Sequence, residues 1–560
     1  MLKTRSLKAV SIIVITLTIG VAPSYAAGNK VAIASAHSLA TYAGLEIIYK
    51  GGNAFDAAVA VSAALAVVEP AGSGLGGGGF WLLHRAKDGF ETMIDGREKA
   101  PLAAHKDMFL DKDGRVVKGL SINGPLAAGI PGLPAALVHL AERYGRIPLA
   151  ESLNPAIRYA RHGFSIRDRY RKLLKFRLKE MQTSKAAAEI FLDKGLVPEA
   201  GWILRQPDLA DTLTALAESG RAGFYAGDVA EKLVDSVRAA GGIWTQQDLD
   251  DYQVVERTPV KGSYHGIQIT SAALPSSGGI GLVQALNILA DYDLKNIDET
   301  RRKHLITEAM RRAYHDRGLY LGDSDFIEVR VSRLLDPDYA AGLRSSIRPD
   351  RATPSASLSG NMKPRTGGDN TTHISIIDGE GNRVAATLSI NFPFGSAFVA
   401  EGTGILLNDE MDDFASAPGA MNVYGLVGGA ANAIAPGKRM LSSMAPTFLE
   451  DDNRIAVLGT PGGSRIISMV LLAALDFAEG NGPDSWMAVP RFHHQYIPDV
   501  LQYEPGALNY VEIKGLSDLG HQLQETPYRY GDMQAVQWRK DSRSFEAASD
   551  PRGEGFAVIK

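Results

Sequence analysis

Two rhythms of apolar residues run along this chain and divide it into helical and extended stretches. From His37 to Lys50, and again from Ala54 to Val68, apolar positions recur at helical spacing, with Gly51-Gly52-Asn53 between them as a stop. The second stretch is nearly all alanine and valine, which predicts a buried helix. The run Gly74-Leu75-Gly76-Gly77-Gly78-Gly79 then leads into a strand-like Phe80 to His84. It lacks the Lys-Ser/Thr ending of a phosphate loop, so closely packed backbone is the reading it supports. From Pro148 to Asn296 helical stretches alternate with glycine stops, and the cationic section Arg167 to Lys179 predicts a solvated helix face. Pro275-Ser276-Ser277-Gly278-Gly279 predicts a capped turn before a helix from Ile280 to Ala290, with an anion-binding helix start as the lesser alternative. Another helical run lies near Thr307 to Leu321.

The segment from Pro349 to Gly368 is rich in Pro, Ser, Gly and Thr and predicts a mobile linker. Beyond it, Thr371 to Ile377 and Arg383 to Ile390 read as two strands of a hairpin, so Thr371 opens the first strand. A threonine hydroxyl is a poor nucleophile near neutral pH. If the chain were cut before Thr371, the freed α-amine could take the hydroxyl proton, making one residue both nucleophile and base. A tether in front would give access, and a sheet behind would fix the new terminal residue. Taken alone, Asn370-Thr371-Thr372 fits a glycosylation acceptor or an ordinary loop better than a nucleophile.

Composition narrows the setting. The chain has 560 residues, 45% hydrophobic and 22% charged, the balance of a soluble protein with a large core. A net charge of -4 leaves no broad basic surface and argues against nucleic acid as a partner. Lys3, Arg5 and Lys8, an apolar run from Ala9 to Ala22, and Pro23-Ser24-Tyr25-Ala26-Ala27 have the layout of a secretory signal cut after Ala26. The mature chain is therefore expected to be periplasmic or extracellular, with no membrane span. Without cysteine there is no disulfide, no thiolate nucleophile and no zinc-cysteine site. His493-His494 on a strand would point to opposite faces, so a structural role is expected there rather than a metal site.

Read in order, several segments resemble the γ-glutamyltranspeptidase family, also called glutathione hydrolases, within the N-terminal-nucleophile superfamily. They are Gly52 to Ala60, Gly76 to Phe80, Arg97-Glu98-Lys99-Ala100-Pro101, Pro275 to Gly279 and Asn408-Asp409-Glu410-Met411-Asp412-Asp413-Phe414. The resemblance covers nearly the whole mature chain. It implies an α/β fold, a four-layer αββα sandwich, self-cleaved between Asn370 and Thr371. Residues 1–26 would be the signal, 27–370 the large subunit and 371–560 the small subunit, intertwined in one catalytic domain. The activity it implies is transfer of a γ-glutamyl group from glutathione-like donors to water, amino acids or short peptides, with no cofactor and no catalytic metal.

The same resemblance implies roles for particular residues. Thr371 is the nucleophile, and Ser389 orients it. Arg97, Ser442 and Ser443 bind the donor α-carboxylate, while Asn391, Glu410 and Asp413 bind its α-ammonium. Gly462 and Gly463 form the oxyanion hole, and Pro418 to Ala431 form a lid with Tyr424 as the gate. Some relatives carry Gln in place of Glu410, and many carry Thr in place of Ser389. Two rivals follow from the same residues: a glutaryl β-lactam acylase of this family, or an inactive exported binding protein. Keeping Arg97, Asp413 and Ser442-Ser443 argues against the acylase, because a glutaryl donor has no ammonium to bind.

Overall fold

A computed structural model describes residues 30–358, 371–416 and 422–560. The expected signal segment, Asn370 and residues Pro418 to Met421 of the expected lid lie outside these. Two antiparallel sheets pack face to face. The first contains β1 (Val31–Ser35), β2 (Gly78–Arg85), β3 (Phe90–Gly96), β4 (Val255–Arg257), β7 (Thr372–Asp378), β8 (Arg383–Ser389) and β13 (Phe556–Ile559). Their order is β13-β1-β7-β8-β2-β3-β4. The second contains β5 (Val260–Tyr264), β6 (Ile267–Ser271), β9 (Thr447–Glu450), β10 (Arg454–Gly459), β11 (Gln534–Arg539) and β12 (Ser544–Ser549), in the order β12-β11-β10-β9-β6-β5.

Side chains of the first sheet alternate between two cores, as a strand period of two requires. Val31, Ile33, Trp81, Leu83, Ile374, Ile376, Val384 and Ala386 face the outer helices. Ala32, Ala34, Phe80, Leu82, Ile377 and Ala385 face the second sheet. Helices α1 (Ser38–Tyr49) and α2 (Ala54–Val68) cover the outside of the first sheet, and α3 (Gly278–Leu289), α4 (Glu299–Tyr320) and α5 (Ile466–Ala478) cover the second. The result is the expected αββα sandwich. Among the described residues no helix is long and apolar enough to cross a membrane.

Helix α2 has the bounds its sequence predicts, and every residue in it is buried. Asn53 caps it, accepting from Phe55 and Asp56 N–H while Asp56 returns a bond to the Asn53 N–H at 2.9 Å. The glycine run is indeed a close backbone crossing: a Cβ on Gly76 would lie 2.1 Å from Leu406 O, and one on Gly77 2.2 Å from Ser389 O. No side chain fits there.

Four expectations need correction. Helix α4 starts at Glu299 rather than near Thr307, because Asp298 caps it by accepting from Arg301 N–H at 2.9 Å. The cationic section is not wholly solvated: Arg177 is buried and donates to Gly395 O at 2.9 Å, and Arg169 lies 3.6 Å from Asp532. The Pro275–Gly279 turn is not a simple cap, since Ser277 makes no side-chain cap bond and instead donates to Ser442 O at 2.6 Å. The first part of the expected mobile linker is anchored: Thr353 N–H donates to Glu308 at 3.1 Å and Ser355 N–H to Asp499 at 2.8 Å. The rest of that segment lies outside the described residues.

Candidate active site

Antiparallel order brings particular strand ends to one end of the sandwich. There β7 and β2 begin while β8 and β3 finish, and the turn after β10 meets them from the second sheet. Leu388 pairs with Thr372, and continuing that register by one residue sets Ser389 opposite Thr371. At this end Arg97, Thr371, Ser389, Asn391, Glu410, Asp413, Tyr424, Ser442, Ser443 and Gly463 line one cavity. Leu426, Met444 and Ile466 complete its wall. Met444 follows the serine pair in the same segment, whereas Leu426 and Ile466 carry no chemical signature that sequence reading could have used. Gly462 adjoins the cavity without lining it.

A buried charge cluster forms one side. Arg97 makes contacts of 2.6 Å to both Glu410 and Asp413, with Glu98 at 3.6 Å. Against the desolvation of full burial, the charges of Glu410, Glu98 and Asp413 hold the guanidinium above its usual range. Burial pushes Glu410 up to about 7 despite the pull of Arg97. It drives Glu98 well above the carboxylate range, with the Glu410 charge adding to the effect. The site thus offers both signs of charge within reach of one zwitterion.

Asn391 holds a left-handed backbone with φ of 72°, rare outside glycine, and its side chain donates to Asp409 O at 3.0 Å. Its own N–H donates to Ser389 Oγ at 2.7 Å. Gly462 and Gly463 have φ of 143° and 54°, which suits glycine, and Gly463 opens a tight turn to Arg465. A Cβ on Gly463 would lie 2.5 Å from the Tyr424 ring, so the ring rests directly on that backbone. The Tyr424 hydroxyl donates to Asn391 O at 2.7 Å, and Asn422 ties the same loop to Asp413 at 2.8 Å. These bonds hold the described part of the loop, from Asn422 on, against the cavity. About 20 Å³ stays free inside, room for roughly one water molecule, so a glutamyl-sized group needs Tyr424 or the charge cluster to give way.

The histidines serve elsewhere. His373 lies between the sheets, bonded to Thr387 at 2.8 Å and Ser375 at 3.2 Å, and burial lowers it to about 3. His493 pairs with Ser468 at 2.7 Å and His494 with Asp499 at 3.2 Å, so the two neighbours share no ligand. Among the described residues His304, Glu308 and His521 have the spacing of a metal site. Glu308 is already engaged by Arg311 at 3.2 Å and Arg312 at 2.6 Å, cations that disfavour a further one.

The chain is similar to known proteins over nearly its whole length. The sequence model of the gamma-glutamyltranspeptidase family matches residues 40–559. A glutathione hydrolase proenzyme from a Pseudomonas species is 45% identical, across 88% of this chain and 86% of its own length. The crystal structure of cephalosporin acylase from Bacillus halodurans superposes with a TM-score of 0.84 at 27% identity, covering 95% of this chain and 96% of that one. The gamma-glutamyltranspeptidase of Helicobacter pylori is 42% identical with a TM-score of 0.57, covering 58% of this chain and 94% of that one. A match over nearly the full length, with the expected residues gathered in one cavity, makes this chain a member of the γ-glutamyltranspeptidase family.

Proposed function

We propose that the chain is an exported, self-processing enzyme that cleaves the γ-glutamyl amide of glutathione-like donors and passes the acyl group to water or to an amine. The observation that carries this reading is the cavity itself, where Thr371 stands beside a cluster built for a zwitterion, with Arg97 on one hand and Glu410 and Asp413 on the other. Neither the glutaryl acylase nor the inactive binding protein accounts for both features.

In maturation, Thr371 Oγ attacks the Asn370 carbonyl, the acyl group shifts from nitrogen to oxygen, and water hydrolyses the ester. The strand order supports products that stay together. Strand β1 of the first product lies between β13 and β7 of the second, and β8 of the second pairs with β2 of the first. Separating them would break one continuous sheet.

In turnover, the Thr371 amine takes the hydroxyl proton and Oγ attacks the donor γ-carbonyl. Negative charge growing on the carbonyl oxygen is stabilised by Gly462 and Gly463 N–H groups. The leaving amine receives the proton, and a second amine or water then attacks the ester. Arg97, Ser442 and Ser443 hold the donor carboxylate, Asn391, Glu410 and Asp413 hold its ammonium, and Ser389 orients Thr371. Closure of the loop carrying Tyr424 limits water and favours transfer.

Mass analysis of purified wild type beside Thr371→Ala tests the scheme. Wild type should give two fragments, one beginning at Thr371, and the variant one intact chain. An intact, unlabelled wild type would point to a binding protein instead.

A further inference from the structure

Helix α4 places a buried cation directly behind the cavity wall, one that the proposed turnover leaves unused. Arg317 is 6% exposed, and among the described residues its guanidinium reaches hydroxyls rather than a carboxylate: Nε donates to Ser277 Oγ at 2.9 Å and Nη2 to Ser443 Oγ at 3.2 Å. Asp413 is the acid that acts on it most strongly, yet Asp413 is held at 2.6 Å by Arg97. A buried arginine without its own counter-ion is costly unless an anion arrives nearby.

Its hydrogen bonds reach one member of the serine pair directly, and the other is bonded by the backbone beside it. Ser443 Oγ accepts from Arg317, so its one proton is left to point elsewhere, and Ser443 lines the cavity. Ser442 Oγ accepts from Met444 N–H at 3.1 Å, which likewise leaves its proton for donation. Ser277, gripped by Arg317, donates to Ser442 O at 2.6 Å, and its N–H donates to the same oxygen at 2.9 Å. Each cavity serine thus has one acceptor site occupied and keeps its proton available to an incoming anion.

We propose that Arg317 is a positioning residue for the donor: it bonds the Ser443 hydroxyl directly and, by way of Ser277, anchors the Ser442 backbone, so that both serines are held where the α-carboxylate is received. This rests on the γ-glutamyl reading of the site. Arg317 touches no reacting atom, so losing it should weaken recognition of the carboxylate while leaving maturation and the acyl-transfer step nearly intact.

The test uses Arg317→Met and Arg317→Lys in the full chain, with turnover of γ-glutamyl para-nitroanilide and inhibition by L-glutamate and by γ-aminobutyrate, which lacks the α-carboxylate. Arg317→Met should mature as wild type does, raise donor KM about 30-fold with kcat within about threefold, and lose most of the preference for glutamate over γ-aminobutyrate. Arg317→Lys should recover part of that preference, and it carries the test if the methionine variant does not accumulate. Equal weakening of both inhibitors, or a fall in kcat at constant KM, overturns the positioning role while leaving the function standing. A wild type inert toward the anilide overturns the γ-glutamyl reading and this proposal together.

Discussion

Glu410 is the residue whose ionisation should set the pH response of donor binding. Burial raises it to about 7, and only the ionised form attracts an ammonium. The donor kcat/KM should therefore rise with pH through about 7, steepened by loss of a proton from the Thr371 amine near its ordinary value of about 7.7 to 8.0. Glu410→Gln keeps the shape but cannot titrate, so the rise should become shallower and begin later. An unchanged profile would remove Glu410 from that role. Arg97→Ala should raise donor KM about 100-fold while the two maturation fragments still form, read by kinetics and mass analysis on one sample. An unaltered KM would take Arg97 out of the site.

At the scale of elements, the closed loop and the glycine crossing make different predictions. Tyr424→Phe keeps the ring over Gly463 but removes its bond to Asn391 O, a loss of about 1 kcal/mol. The loop should open about fivefold more often, and with an amino-acid acceptor the ratio of hydrolysis to transfer should rise by a similar factor. Gly77→Ala would force a Cβ within 2.2 Å of Ser389 O, where β2 starts beside the end of β8. A loss of about 3 kcal/mol is expected, with slowed or absent maturation because the same backbone positions Ser389 opposite Thr371. Helix α4 supports the site at several points: Tyr314 donates to Ser464 O beneath the glycine turn, Arg317 holds Ser443, and Gly318 O accepts from Gly429 N–H of the loop at 3.0 Å.

At the scale of the whole molecule, buried titratable groups shape stability in opposite directions. His373, His493 and His521 are lowered by burial to about 3, and His37 and His494 to about 4. The unfolded chain protonates them near 6.5, so the stability they permit is lost as pH falls below that value. Glu410 and Asp532 are raised, to about 7 and about 8, and their contribution is lost as pH climbs through those values. The melting temperature of unprocessed Thr371→Ala should therefore peak near pH 6.5 and decline on both sides, measured by thermal unfolding across pH 4.5 to 9. The chain's sequence by itself determined what acts over a few residues: the bounds of α2, the hairpin of β7 and β8 to within one residue, and the close-packed glycine run. Family resemblance added which distant polar residues belong together, but not how they engage. Only the tertiary structure decided that Arg97 grips Asp413 across 316 positions, that Ser277 reaches Ser442, and that Arg317 stands behind Ser443. Periodicity and capping report contacts a turn or a strand pair away, whereas these meetings depend on the order of strands in two facing sheets, which no local pattern encodes.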